Sequence, residues 1–354
     1  MLVVRLRRNR LQPEVVAVTG AAEGLGRALV ERLAAREDLA GLLGLDLAPG
    51  RVDGVIWRTA DVRDPTLATR LAGATSVVHL ATSYDASMPA DSRRALNVRG
   101  TAQVLEAARE VGARRVVLCT SADVYGVSAT NPVPLADSAP MAAEPDDVTL
   151  VGDHVEMERL AAHAQRAGLP VTVLRPATLV GLGPAYDGQL LRQLAGPRLL
   201  AARGVEPLWQ LCHVEDLVSA LELAALGAVT GCLGVACDGA LPQVVVEEVT
   251  GRRRLELPAA VALSTAERLH RAGVTSSSPR ELDRLLGPLV LGCDGLLEAG
   301  WKPAWTNEDA LLAHLSARAS DNGRGTAVTA AGATVALLGT AALVRQARRR
   351  RRGR

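Results

Sequence analysis

From residue 14 onward, short apolar runs alternate with longer stretches of helical periodicity. The runs are Val15–Thr19, Leu42–Asp46, Val55–Arg58, Ser76–Ala81, Arg115–Ser121 and Val171–Arg175. Each is short, often β-branched, and followed by turn residues, the pattern of a strand buried on both faces. Between them, segments such as Ala102–Val111 and Val155–Ala167 repeat apolar residues every three or four positions, as an amphipathic helix does. Strand and helix in alternation predict an α/β fold of Rossmann type, a doubly wound parallel sheet with helices on both faces, spanning residues 14–180. Residues 125–148, rich in Pro, Ala and Asp, predict a loop. After residue 180 the alternation loosens. Residues 181–320 predict a smaller substrate-binding lobe over the C-terminal edge of the sheet, with 213–237 returning to the main sheet.

Composition changes this picture at the two ends. The chain has 354 residues, long enough for one large domain with a small second lobe. It has no Phe, so Leu, Val and Ala must fill the core. Net charge is +2, but residues 345–354 contain seven arginines, so the remainder sums to about −5 by the same counting. No basic surface with interleaved aromatics accompanies that tail, so nucleic acid is not an expected partner. Residues 1–13 are basic and lack the apolar stretch of a secretory signal. Thr326–Val344 is nineteen residues without a charge, about 28 Å as a helix and close to a bilayer core. It is the candidate C-terminal apolar helix. Its Ala, Thr and Gly content makes insertion marginal, and the arginines behind it oppose a simple span from the cytoplasm. The alternatives are a segment lying on anionic headgroups and a solvated basic tail. The expected location is cytoplasmic, with attachment to the membrane through 326–354 left open. The five cysteines form no CxxC pair and read as thiols in a reducing compartment, with no metal site.

Chemistry enters at Val15–Gly26, VVAVTGAAEGLG. A buried strand runs into Gly20, Gly24 and Gly26 and then into a helix. Gly20 suits a tight turn, Gly24 a close approach of backbone to a pyrophosphate, and Gly26 close packing of helix on sheet. Asp46 ends the second strand, where a carboxylate accepts from adenosine ribose hydroxyls and repels a 2′-phosphate. That favours NAD; Arg27 and Arg51 leave room for NADP.

With these residues in order, the chain resembles the extended short-chain dehydrogenase/reductase superfamily, NAD-dependent epimerase/dehydratase group, over about residues 14–315. Thr19-Gly20-Ala21-Ala22-Glu23-Gly24-Leu25-Gly26 resembles its first motif, although the group's usual spacing is TGxxGxxG. Ala60-Asp61-Val62-Arg63-Asp64 is similar to the acidic turn beside adenine. Val78-His79-Leu80-Ala81, followed by Thr82, is similar to the fourth-strand motif. Asn97-Val98-Arg99-Gly100-Thr101 is similar to the NVxGT helix element. Thr120-Ser121-Ala122-Asp123-Val124-Tyr125-Gly126 is similar to the SSxxVYG strand end, and Leu174-Arg175-Pro176 to the turn near the nicotinamide. His213-Val214-Glu215-Asp216-Leu217 and Gly300-Trp301-Lys302-Pro303 complete the order. The resemblance implies that NAD contacts Gly20, Glu23, Gly24, Leu25, Gly26, Asp46, Asp61, Val62, Leu80, Ala81, Thr82, Asn97, Thr120, His154 and Pro176. It implies Ser121 at the catalytic serine, a small hydroxylated or nucleotide-sugar-like substrate, and room for a homodimer.

One departure is independent of alignment. The group carries Tyr-x-x-x-Lys on the helix after SSxxVYG, on one helix face, with the lysine lowering the tyrosine's pKa. Anchoring on Glu158 and Leu174-Arg175-Pro176 places Leu150 at the tyrosine and His154 at the lysine. None of Tyr84, Tyr125 and Tyr186 has Lys four residues later, and Lys302 is the only lysine. Three readings follow: an enzyme with a substituted acid/base, His154 or Tyr84; a non-catalytic NAD-binding regulator or scaffold; or chemistry needing only the cofactor and Ser121. His79 and His213 are expected to be structural, and His163, His270 and His314 have no evident partner. Arg192, Arg198 and Arg280 are candidates for a substrate diphosphate, with surface arginines the commoner explanation.

Overall fold

The structure is a computed structural model. It describes residues 14–322, apart from 86–87, 144–145, 147, 184–185, 188, 262–263, 265–267 and 269–285. The first half alternates as expected: β1 (Val15–Thr19), α1 (Gly24–Ala34), β2 (Gly41–Asp46), β3 (Ile56–Thr59), α2 (Leu67–Leu71), β4 (Ser76–His79), α3 (Ala90–Arg94), α4 (Gly100–Glu110), β5 (Arg115–Cys119), α5 (Leu150–Arg166) and β6 (Val171–Pro176). A π-helical turn, Ala95–Arg99, joins α3 to α4. Then come β7 (Thr178–Val180), α6 (Gln189–Arg192), β8 (Arg198–Ala202), β9 (Leu208–Trp209), β10 (Leu211–His213), α7 (Val214–Ala225), β11 (Cys232–Val235), β12 (Leu241–Pro242), α8 (Gln243–Thr250) and β13 (Arg253–Leu257). Two further helices, Asp294–Glu298 and Asn307–Asn322, follow.

Seven parallel strands form the main sheet in the order β11-β6-β5-β4-β1-β2-β3. Strand order reverses between β1 and β4, which opens a crevice at their C-terminal ends. Period-2 alternation fills both faces. Val16 and Val18 pack with Leu29 of α1 and Leu217 and Leu221 of α7. Ala17, Leu43 and Leu45 pack with Leu67, Val104 and Ala161 on the other face. Leu29 and Leu33 are fully buried, each favourable by about 2–3 kcal/mol relative to exposure. A separate cluster around Trp209, Leu191, Leu199 and Leu311 forms the core of the later segments, and the Trp209 indole N–H donates to Gln243 at 2.7 Å.

Two strands stop short of their apolar runs, for a reason that matters to the site. The run Ser76–Ala81 leaves the ladder after His79, because Thr82 N–H turns back to the Leu80 carbonyl. The run Arg115–Ser121 ends at Cys119, because Ser121 caps a 3₁₀ turn, Ala122–Tyr125, by accepting from Asp123 N–H. Helix α5 starts at Leu150, five residues before the periodic stretch Val155–Ala167, because Thr149 caps it and accepts from Gly152 N–H. Its phase is fixed by a buried network. Glu158 receives Arg175 through Nε at 3.1 Å and Nη2 at 2.5 Å, and the Thr120 hydroxyl at 2.7 Å. Arg175 in turn lies 4.6 Å above the Tyr125 ring. Asp137 ties the 126–149 loop to the sheet edge by accepting from Gly234 and Gly295 N–H.

The apolar segment Thr326–Val344 and the arginine tail lie outside the described residues. Among the described residues no helix is long and apolar enough to cross a membrane.

Because Glu158 and Arg175 are both nearly inaccessible, removing one leaves the other charged and unpaired. Glu158→Ala is expected to cost about 3–5 kcal/mol in urea unfolding, and Arg175→Met in the same chain to recover much of it. A loss below about 1 kcal/mol would show that the pair does not hold α5.

Candidate functional site

The crevice begins at the glycine turn. Gly20 has φ 69°, and a Cβ there would lie 2.7 Å from Ala81 N. A Cβ on Gly26 would collide with the Gly20 carbonyl oxygen. The turn is held by Gly20 N–H donating to the Leu45 carbonyl at 2.8 Å. Helix α1 has no side-chain cap from Glu23 and no acidic residue in its first turn. Its N–H groups and the positive end of its dipole are left for an anion. Asp46 stands beside it, accepting from Ala22 N–H at 2.9 Å and Leu47 N–H at 2.7 Å. These features suit a dinucleotide: a cradle that admits backbone only, a helix end for phosphate, and a fixed carboxylate for ribose.

The expected cofactor and catalytic residues divide into two groups. Gly20, Glu23, Leu25, Gly26, Asp46, Asp61, Val62, Leu80, Ala81 and Thr82 line one cleft of about 360 Å³, together with Tyr84 and Tyr186. Arg63 donates to Asp61, which holds that carboxyl below the usual range. Gly24, Asn97, Thr120, Ser121, His154 and Pro176 are not among the walls of this cleft. Thr120 is committed to Glu158. Pro176 ends β6. Asn97 clamps the strand-end loop by accepting from Ser83 N–H at 2.8 Å and donating to the Ser83 carbonyl at 3.0 Å.

That clamp positions Tyr84. Its hydroxyl donates to the Cys119 carbonyl at 3.3 Å, and its ring centroid lies 5.6 Å from that of His154. Burial pushes the phenol well above its ordinary pKa. His154 is 1% exposed, and neither ring nitrogen has a hydrogen-bond partner among the described residues. Burial lowers its pKa to about 4, against an opposing pull from Asp123, so the imidazole is neutral near pH 7. Next to it, Asp153 is buried and paired with Arg93 at 2.8 Å, which fixes the first turn of α5 against α3. Ser121 donates to Asp123 at 3.0 Å. Leu150, at the first position of α5, has no group to titrate, and Lys302 is exposed after buried Trp301.

Sequence reasoning missed two residues. Tyr186 lines the cleft against the glycine turn, and its ring centroid lies 6.4 Å from that of Tyr84. Asp187 is buried and pairs with Arg318 at 2.5 Å, with His314 at 3.8 Å. Neither has a spacing signal, since Tyr186 meets the glycine turn and Asp187 meets Arg318 only across long stretches of chain. The arginines weighed for a diphosphate do not line this cleft: Arg192 donates to the Asp187 carbonyl, Arg198 is exposed on β8, and Arg280 is outside the described residues. His213 stacks on Trp305 at 3.7 Å and caps α7, as a structural residue does.

Like His154, His79 is wholly buried, with a pKa lowered to about 4 by burial. Between about 6.5 and about 4 the unfolded chain holds protons that the folded chain lacks. Stability is therefore expected to fall as pH drops through this window, by up to about 1.4 kcal/mol per pH unit for each histidine. Urea unfolding from pH 7 to 4.5 checks this. His154→Gln should flatten the slope by about one proton; an unchanged slope would contradict its burial.

Comparison with known proteins agrees with this architecture. Residues 16–231 match the profile of the NAD dependent epimerase/dehydratase family. An uncharacterised protein of Mycobacterium tuberculosis (strain ATCC 25618 / H37Rv) is 31% identical over 313 residues, 84% of this chain and 82% of its own. The 3-diazoavenalumate denitrifying reductase of a Streptomyces species is 35% identical over 240 residues, 64% of this chain and 77% of its own. Among solved structures, the dTDP-glucose 4,6-dehydratase of Bacillus anthracis in complex with NAD shares the fold, with a TM-score of 0.63 at 15% identity, over 88% of this chain and 98% of its own. With the family profile over more than half of its length and the glycine cradle, switch-point crevice and parallel sheet in place, the chain belongs to the NAD-dependent epimerase/dehydratase family.

Proposed function

We propose that the protein is a NAD-dependent oxidoreductase, epimerase-like in fold, acting on a small hydroxylated or nucleotide-sugar-like substrate with other residues in place of the tyrosine–lysine pair. The observation that carries the cofactor is Asp46, held by two backbone N–H groups beside a glycine turn that only bare backbone fits. In this reading Gly20, Gly24, Leu25, Gly26 and the start of α1 hold the diphosphate, and Asp46 accepts from the adenosine ribose. Asp61 and Val62 wall the adenine. Leu80, Ala81 and Thr82 line the path toward β5. NAD, when bound, supplies a hydride donor or acceptor at its nicotinamide. The name of the Streptomyces relative, a reductase, favours the reductive direction.

Tyr84 and Ser121 bring O–H groups to the end of β5. Tyr84 keeps its proton at working pH because burial raises its pKa, and Ser121 shares its proton with Asp123. Both are suited to donate to a substrate oxygen as charge builds on it. His154 titrates too low to carry an extra proton at neutral pH. That favours a neutral contact to the nicotinamide ribose over service as the proton donor. No group among these three titrates between about pH 5 and 9, so kcat/KM is expected to be flat across that range. An inflection near 7 that disappears in His154→Gln would make His154 the acid or base and overturn this assignment.

Leu150 supports a second reading, binding of NAD without turnover. Calorimetry with NAD and NADP on wild type and Asp46→Ala tests the shared premise. Asp46→Ala should weaken NAD about 10- to 100-fold, as expected for lost hydrogen bonds to a charged group, and narrow the preference over NADP. Unchanged affinity and preference would remove Asp46 from the ribose. The two readings separate on a panel of alcohols, carbonyl compounds and nucleotide sugars. Activity only after Leu150→Tyr with His154→Lys, and none in the native protein, would favour binding without turnover.

A further inference from the structure

Tyr186 lies in the turn after β7, far in sequence from the glycine motif, yet a Cβ placed on Gly24 would run into its hydroxyl. The phenol therefore reaches the start of α1, at the corner where the uncapped helix N–H groups open into the cleft. Its hydroxyl has no hydrogen-bond partner among the described residues, and burial, with Glu23 nearby, raises its pKa, so it remains a donor at neutral pH. The turn that carries it is anchored by the next residue. The Asp187 side chain pairs with Arg318 on the Asn307–Asn322 helix at 2.5 Å, and its carbonyl accepts from Arg192 Nε at 2.9 Å. Tyr186 also stands beside Tyr84, which leans on His154.

We propose that Tyr186 is a diphosphate clamp: its hydroxyl, beside Gly24 at the start of α1, donates to the phosphate bridge of the dinucleotide, and Asp187–Arg318 is the strap that holds it there. The inference rests on the cofactor reading above and adds a contact from the later half of the chain to it. A phosphate bridge at this corner gains a side-chain O–H donor that the glycine turn cannot supply, because bare backbone offers only N–H groups. A phenol is suited to the role. It is neutral, so it adds no charge to be desolvated, and its rigid ring spans the cleft at little entropic cost. The position at Gly24 assigns the clamp to the cofactor's diphosphate rather than to that of a nucleotide-sugar substrate. The strap couples cofactor binding to the Asn307–Asn322 helix without any residue of that helix reaching the cleft.

The test is a ligand series measured by calorimetry on the full-length protein: NAD, ADP-ribose and AMP, the last lacking the bridge. Tyr186→Phe keeps the ring and removes only the hydroxyl. It is expected to weaken NAD and ADP-ribose about tenfold and to leave AMP unchanged, the loss expected for one hydrogen bond to an anion. Arg318→Gln should reproduce that pattern in milder form, and Arg318→Lys should restore it. Unchanged NAD affinity in Tyr186→Phe, or equal losses for all three ligands, would overturn the clamp while leaving the cofactor reading intact. Failure of the wild-type protein to bind NAD would overturn the cofactor reading and the clamp with it.

Discussion

The buried contact between Glu158 and Arg175 sets the geometry on which the site depends. It joins the middle of α5 to the end of β6, with Thr120 at the end of β5 as a third partner. Two opposite charges with almost no access to water tolerate little misplacement, because each would be stranded if the other moved. The phase of α5 follows. One helical turn before Glu158 is His154, and another turn before that is Leu150. Both positions share the helix face of Glu158, which reaches Thr120 at the end of β5.

Those identities remove one common solution for proton transfer in this family without dismantling the setting for it. Asn97 still clamps the loop after β4, Ser121 still caps the turn after β5, and the glycine cradle is complete. A cation at position 154 would need solvation or a counter-charge; a neutral imidazole there needs neither, and burial keeps it neutral. At the neighbouring position Asp153 is already paired with Arg93. Tyr84 reaches the end of β5 from the β4 side, with its phenol on the Cys119 carbonyl.

The cofactor cleft is assembled from both halves of the chain. The glycine turn, Asp46 and the strand ends come from the first half and sit at the point where strand order reverses. Tyr186 comes from the connection after β7, and the next residue, Asp187, pairs with Arg318 on the Asn307–Asn322 helix.

The sequence alone determined the parallel α/β architecture, because strands buried on both faces and amphipathic helices leave separate periodicities. It also determined the cradle at Gly20, Gly24 and Gly26 and the acid at Asp46, which lie within 27 residues of one another and follow their strands directly. It determined the loss of the tyrosine–lysine pair, since a chain with one lysine cannot hide another. Tertiary structure decided the rest. That His154 is buried, neutral and without a hydrogen-bond partner among the described residues depends on Tyr84 from a loop 70 positions earlier. That Thr120 serves Glu158, outside the cleft walls, depends on where β6 places Arg175. That Tyr186 meets the glycine turn, and that Asp187 beside it pairs with Arg318, 131 residues further on, depends on segments far apart in sequence. Local patterns encode what neighbours in sequence will do; desolvation and long-range pairing are set only when distant segments pack, and those two effects control the chemistry of this site.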